Sequence, residues 1–266
     1  MNIGIFGAAG RMGQMLVREV VATEEARIAG GVEAPGHPAN GFDVTQTAGL
    51  AASGKKIGTD PLTLIKDSDV LIDFTSPAAT LDHAKLCARN GKPLVIGTTG
   101  IEASGRTEIE GYARQIPIVW ASNYSVGVNV LFALTKQLAG VLGDDFDIEI
   151  VEMHHRHKVD APSGTALTLG EMAAAGRGKN LKDIAARGRD GITGARKKGD
   201  IGFAALRGGE VVGDHTVMFA SDHERLELTH KASSREVFAR GAVRAALWVG
   251  TQKPGLYSMA DVLGLA

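Results

Sequence analysis

Ile3-Gly4-Ile5-Phe6-Gly7-Ala8-Ala9-Gly10-Arg11-Met12-Gly13 runs an apolar stretch into a glycine cluster, and residues 11–22 follow as a helical segment. Residues 3–6 are expected to form a buried strand. Glycines after such a strand let the backbone approach a pyrophosphate, and the helix start offers unpaired N–H groups and a favourable dipole. The spacing departs from a strict GxGxxG, since Ala9 stands where one alignment puts the second glycine. By itself the cluster is also compatible with a plain tight turn.

Working outward, residues 28–33 read as a second strand ending in Glu33, about 20 residues past the loop, where an acid can bond the hydroxyls of an adenosine ribose. Residue 34 is alanine, so no adjacent cation is ready for a 2′-phosphate, and a carboxylate facing that phosphate repels it. NADH is therefore expected to be preferred over NADPH, with His37, Lys55 or Lys56 able to weaken the preference. Asp60-Pro61 opens a short helix to residue 66. Residues 70–74, 94–97 and 116–121 read as strands, and 78–90 and 102–114 as helices, with Gly91 closing the first. Strands alternating with helices imply parallel pairing through right-handed crossovers, hence a Rossmann-like doubly wound α/β sheet. Gly97-Thr98-Thr99-Gly100 and Ala121-Ser122-Asn123-Tyr124 then lie at strand C-terminal ends, where such sheets bind ligands.

Beyond residue 125 the pattern changes. Residues 126–139 and 164–175 read as helices and 146–151 as a strand, while 177–200 is rich in Gly, Lys and Arg and is expected to be a mobile loop. Residues 201–206, 211–219 and 226–230 read as an antiparallel meander turning at Gly208-Gly209 and Ser221-Asp222. Residues 234–249 return to helix, followed by a short tail. The expected division is a dinucleotide-binding domain of residues 1–125 and 235–266, and a substrate-binding and tetramerisation domain of 126–234. The second is α+β, with an open mixed or antiparallel sheet.

Composition narrows the function classes. A chain of 266 residues with 44% hydrophobic and 22% charged residues can bury a core without disulfides or structural metal. A net charge of −1 gives no reason to expect nucleic acid or an anionic membrane as a partner. No window is expected to approach the ~20 apolar residues of a membrane span. A single cysteine, Cys87, fits a reducing compartment, and a cytoplasmic protein is expected.

The most specific stretch is Glu152-Met153-His154-His155-Arg156-His157-Lys158-Val159-Asp160-Ala161-Pro162-Ser163-Gly164-Thr165. Adjacent cations repel, so the cluster calls for an anion. Zinc would need three or four converging ligands, and no cysteine or carboxylate stands at suitable spacing, so no metal is expected. Pro162-Ser163-Gly164-Thr165 breaks the extended segment and opens a helix whose N–H groups suit a carboxylate. Beside it, His154, His155 and Lys158 make a pocket for a dianion, with proton donors at hand.

These stretches, together with Gly213-Asp214-His215, resemble the 4-hydroxy-tetrahydrodipicolinate reductase (dihydrodipicolinate reductase) family across essentially the whole chain. The resemblance implies hydride transfer from NADH or NADPH to a small cyclic dicarboxylate, with net loss of water, in diaminopimelate and lysine biosynthesis. It implies that His154 donates or relays a proton, that Lys158 donates one, and that His155, Gly164 and Thr165 hold the substrate. Nucleotide contacts map onto Gly7, Ala8, Ala9, Gly10, Arg11 and Met12, onto Glu33, onto Gly97, Thr98 and Thr99, and onto Ala121, Ser122, Asn123 and Tyr124. Members of the family are homotetramers, and some carry basic residues where Ala34 and Ser76 stand here. Another dehydrogenase of the same fold, a dinucleotide-sensing regulator and a metal-dependent hydrolase are the competing readings. The first has no need of the 154–158 cluster, the second lacks a visible helix-turn-helix, and the third would show chelator sensitivity.

Overall fold

The computed structural model describes residues 1–265. The chain divides into two compact units, Met1–Ser125 with the segment from Glu236 onward, and Val126–Arg235. In the first unit, β1 (Asn2–Phe6) leads to α1 (Arg11–Ala22) and β2 (Arg27–Val32). Ile3, Ile5 and Phe6 are fully buried, as expected of a strand covered on both faces. The buried positions of α1, Gly13, Leu16, Val17 and Val20, fall on one helical face. Next come α2 (Val44–Thr47) and β3 (Ile57–Gly58), too short for any periodicity to reveal. Then follow α3 (Pro61–Asp67), β4 (Val70–Asp73), α4 (Pro77–Arg89), β5 (Leu94–Ile96), α5 (Ala103–Ala113) and β6 (Pro117–Trp120). The Asp60 carboxylate caps α3 by accepting from the N–H groups of Leu62 and Thr63, and Gly91 follows α4 at φ +63°.

The second unit holds α6 (Val126–Leu142), β7 (Asp147–His154), α7 (Gly164–Gly176), α8 (Leu181–Ile184), β8 (Ala185–Arg187), β9 (Ile201–Arg207), β10 (Asp214–Ala220) and β11 (Arg225–Lys231). Its sheet runs β11-β10-β7-β9-β8. β9 pairs in parallel with β7 and β8, whereas β10 is antiparallel to β7 and β11. The sheet is mixed, and the expected meander is corrected. Only β10 and β11 form a hairpin, because β7 takes the central place and accepts β9 on one side and β10 on the other. A Gly-Gly pair reports a turn, not which strand the chain returns to. Burial alternates along β7 and places Ile148, Ile150, Glu152 and His154 on the inner face.

Residues 177–200 are also more ordered than expected, since they contain α8 and β8. Ion pairs tie the rest down: the Arg196 guanidinium donates to Glu149, Asp147 and the Ile148 and Asp200 carbonyls, and Arg189 grips Glu149 with two bonds. Apolar periodicity does not register a segment held by charge. A second correction concerns Val126–Asp145, which is long and apolar enough to cross a membrane by length and composition. The core helix of a globular unit passes the same test, and α6 packs Leu131, Phe132 and Ala139 into a core shared with α7. The two helices run so close that a Cβ on Gly176 would stand 2.2 Å from the Lys136 carbonyl oxygen.

The chain then returns to the first unit with α9 (Glu236–Val249), β12 (Gly255–Tyr257) and α10 (Met259–Leu263). The seven-stranded sheet is ordered β12-β6-β5-β4-β1-β2-β3 with every pair parallel. Strand order reverses between β1 and β4, and ligand crevices of such sheets open at that switch point. The short tail expected from sequence instead adds an edge strand and a helix closed by a Ser258–Asp261 capping box.

Candidate functional site

Two groups of side chains and backbone matter, one in each unit. In the first unit, Gly7 ends β1 at φ +71°, a conformation that side-chain-bearing residues rarely adopt. A Cβ on Gly13 would lie 2.0 Å from the Gly7 carbonyl oxygen, so glycine at 13 is what allows α1 to pack against the turn. The N-cap of α1, Gly10, supplies no side-chain bond to the helix start. Glu33 accepts the N–H of Ala9 at 2.8 Å, which draws the end of β2 against the loop. Ala8 is buried, Arg11 exposed and Met12 half-buried. Gly7, Gly10, Glu33, Ser76, Lys85 and Arg89 are among the residues lining a cavity of about 820 Å³. His37, Lys55 and Lys56 are not among its lining residues. The cations on this wall, Lys85 and Arg89 of α4, escaped the sequence reading.

Beside the loop, the fully buried Asp73 at the end of β4 gathers donors. Its Oδ1 accepts from the Thr75 N–H (2.9 Å), the Thr75 hydroxyl (2.6 Å) and the Thr80 hydroxyl (3.1 Å), and its Oδ2 bonds His83 Nδ1 at 2.7 Å. The Thr98 hydroxyl joins this network, 2.7 Å from the Thr80 hydroxyl and accepting the Thr75 N–H at 3.1 Å. The loop of residues 97–99 is thereby fastened to Thr75 and His83, which do line the cavity, although 97–99 and 121–124 do not. Gly97 is required where it stands, because a Cβ there would meet the Phe74 ring at 2.1 Å. Thr99 and Ser122 are exposed, and Ala121 is half-buried. Asn123 Oδ1 accepts the Ser125 N–H. Tyr124 is buried and its hydroxyl donates to the Ile96 carbonyl at 2.7 Å, so its side chain serves the core and leaves only backbone for a ligand. Asp73, Thr80 and His83 carried no motif signal.

In the second unit, Glu152 and His154 project inward from the last turns of the β7 pleat. Glu152 is 1% exposed. Its Oε2 accepts from His154 Nδ1 at 2.6 Å and from Arg207 at 2.8 Å, and its Oε1 accepts from Arg207 at 2.9 Å and from the Ser163 N–H at 3.0 Å. Burial pushes the Glu152 carboxyl upward, but the Arg207, His154 and Ser163 bonds outweigh it and hold it below its ordinary value. Burial lowers His154 below its ordinary value, as do the charges of Lys158 and Arg207, against the raising pull of Glu152. His215 lies edge-on to His154 with ring centroids 5.1 Å apart, and its Nε2 is 3.0 Å from the Ser163 hydroxyl. Burial, reinforced by the charge of His154, pushes His215 down to about 4. Its Nδ1 is buried without a hydrogen-bond partner among the described residues.

The basic stretch therefore splits. Lys158 donates to Asp160 at 2.8 Å, and Arg207 also bonds the Asp160 carbonyl, so the loop after β7 is anchored to the same cluster as His154. His155 Nε2 faces Arg235 at 3.4 Å. Arg156 and His157 are exposed, and His157 pairs with Glu210 only at 3.8 Å. At the start of α7 the Ser163 hydroxyl caps the Ala166 N–H, with Gly164 exposed and Thr165 half-buried just after it. His154, Lys158 and the α7 start are thus linked through Glu152, Arg207 and Asp160. Glu152, Arg207 and His215 were given no role from the sequence, and Ser163 entered only as part of the run that opens α7. The i, i+2 spacing of Glu152 and His154 on a strand was the available signal for the first of these.

Known proteins share this arrangement of the chain. Residues 1–124 match the family model described as dihydrodipicolinate reductase, N-terminus, and residues 127–263 match its C-terminus counterpart. A protein of Parvibaculum lavamentivorans named 4-hydroxy-tetrahydrodipicolinate reductase is 59% identical over 100% of this chain and 98% of its own length. One of the same name from Rhodopseudomonas palustris is 54% identical over the same shares. Among solved structures, a dipicolinate-bound dihydrodipicolinate reductase from Paenisporosarcina sp. TG-14 superposes with a TM-score of 0.78 at 24% identity, covering 98% of both chains. A myo-inositol dehydrogenase from Corynebacterium glutamicum shares the fold with a TM-score of 0.62 at 14% identity, over 100% of this chain and 93% of its own.

Proposed function

The chain belongs to the dihydrodipicolinate reductase family, and on that premise we propose how its residues divide the work. It is an NAD(P)H-dependent oxidoreductase of diaminopimelate and lysine biosynthesis that reduces 4-hydroxy-tetrahydrodipicolinate to 2,3,4,5-tetrahydrodipicolinate with net loss of water. The reading of the site is supported above all by one observation: His154 and the start of α7 hang on the same buried carboxylate.

The glycine turn fits a dinucleotide. Gly7 at positive φ, the close approach of Gly13 and a helix start with no side-chain cap leave room and donors for a pyrophosphate. Gly7, Ala8, Ala9, Gly10, Arg11 and Met12 would hold it, and the Glu33 carboxylate would accept from the adenosine ribose hydroxyls. Gly97, Thr98 and Thr99, with the backbone of Ala121, Ser122, Asn123 and Tyr124, orient the nicotinamide end. The reduced nicotinamide, when bound, supplies the hydride. Gly164 and Thr165 take a substrate carboxylate at the α7 start, His155 contacts the ring's other polar groups, Lys158 donates the proton, and His154 relays or donates it. The carboxylate of Glu33 and the absence of a cation at Ala34 favour NADH over NADPH.

Assembly as a homotetramer through the β11-β10-β7-β9 sheet, and a cytoplasmic location with no nucleic-acid or membrane partner, complete the proposal. Leu206, in register with Met153 on the sheet face turned away from the Ile148 and Ile150 core, is exposed and suits a covered face. The test is a coupled assay in which the substrate is generated from pyruvate and aspartate semialdehyde. Oxidation of each reduced dinucleotide is then followed, and a higher kcat/KM with NADH is expected. A strong NADPH preference overturns the cofactor reading.

A further inference from the structure

We infer that Glu152 is a positioning residue of the reaction, holding His154 in one tautomer and seating the start of α7. The inference rests on the proposed role of His154. An ionised carboxylate only accepts, so His154 Nδ1, 2.6 Å from Glu152 Oε2, carries the hydrogen whenever the ring is neutral. The proton that the ring gains or loses is then confined to Nε2. Gly213 lies beside that atom, and a Cβ there would stand 3.0 Å from His154 Nε2, so the glycine keeps the nitrogen from being covered by a side chain at that position. On the other oxygen of the same carboxylate, the Ser163 N–H fixes where α7 begins.

A buried carboxylate needs a counter-charge, and Arg207 supplies it with two bonds, at 2.8 and 2.9 Å. Were Glu152 present only to pair with Arg207, the His154 and Ser163 bonds would be dispensable. Instead the carboxylate spends one acceptor site on the proton-transfer ring and one on the carboxylate-binding turn, so the two cannot move apart independently. The charged and titratable groups facing His154 are Glu152 on its own strand, Lys158 in the following loop, Arg207 on β9 and His215 on β10. Glu152 favours the charged ring, and Arg207 and Lys158 oppose it.

That opposition supplies a test that a merely structural role would not pass. The full-length enzyme is labelled with ¹⁵N-histidine, and the ring nitrogens of His154 are followed through a titration in wild type, Glu152→Gln and Arg207→Met, with kcat measured alongside. The wild-type ring is expected as the Nδ1–H tautomer. Glu152→Gln mixes the tautomers, moves the midpoint to lower pH and lowers kcat roughly 10- to 100-fold, as loss of an orienting partner does at comparable sites. Arg207→Met keeps the tautomer and moves the midpoint the other way. Full turnover in His154→Ala removes the role of His154, and this inference with it. A slow His154→Ala beside a Glu152→Gln variant with wild-type tautomer, midpoint and kcat overturns the inference alone. Should Glu152→Gln fail to fold, Arg207→Met decides by the tautomer: a retained Nδ1–H form supports the inference, and a mixed population overturns it.

Discussion

In the proposed reaction Lys158 is the proton donor, and its surroundings make its removal informative. Its ammonium is bonded to Asp160, whose own side chain is 56% exposed. Exposed pairs of this kind contribute about 0–1 kcal/mol to stability. Lys158→Ala should therefore fold normally while kcat falls on the order of 10²- to 10⁴-fold, the usual share of a general acid. Circular dichroism and steady-state kinetics check both halves, and unchanged turnover would take Lys158 out of the mechanism. At this scale the sequence was legible where chemistry is local. Consecutive basic residues announce an anion, and a Pro-Ser-Gly-Thr run announces a helix start. Arg207 was not legible, because it lies 55 residues from Glu152 and only the parallel pairing of β7 with β9 brings His154 and Arg207 opposite each other.

Among the elements, α7 binds the second site together. The Ser163 hydroxyl caps it through the Ala166 N–H and also touches His215, so one atom serves the helix and the buried ring. Ser163→Ala removes an N-cap worth about 1 kcal/mol and takes the Ser163 hydroxyl away from His215 Nε2. A lower urea midpoint is expected, together with a raised KM for the dicarboxylate, because the turn carrying Gly164 and Thr165 loosens. A variant with wild-type midpoint and KM would show the cap to be incidental. The elements predicted in the first unit had boundaries right to within a residue or two, since buried parallel strands read as apolar runs and capped helices carry their own punctuation, whereas α2, β3, β12 and α10 were too short to read. The second unit was less legible. The partner of β9 depends on which edge of β7 is open, and the order of residues 177–200 depends on Arg189 and Arg196 finding Glu149 and Asp147.

For the molecule as a whole, the buried histidines set an acid limit to stability. His215 is pushed from an ordinary 6.5 down to about 4 in the folded chain. Between those values the unfolded chain binds a proton that the folded chain refuses, so stability falls as pH drops through that window. The loss from His215 amounts to about 2 kcal/mol between pH 7 and pH 5. His154 and His230, both lowered chiefly by burial, act in the same direction. Glu149 and Glu152, whose carboxyls are held below their ordinary values, add a further loss only below about pH 4.5. Chemical denaturation at pH 7 and pH 5 checks this, and equal midpoints would mean that His215 is not buried as a neutral ring.

The claim on which the rest turns is that a substrate carboxylate is received at the start of α7 beside His154 and Lys158. A crystal structure of the enzyme with reduced dinucleotide and dipicolinate tests it directly. One carboxylate of the ligand is expected on the Gly164 and Thr165 N–H groups, with His155 and Lys158 within hydrogen-bond reach. A ligand bound elsewhere, with those residues untouched, contradicts the account.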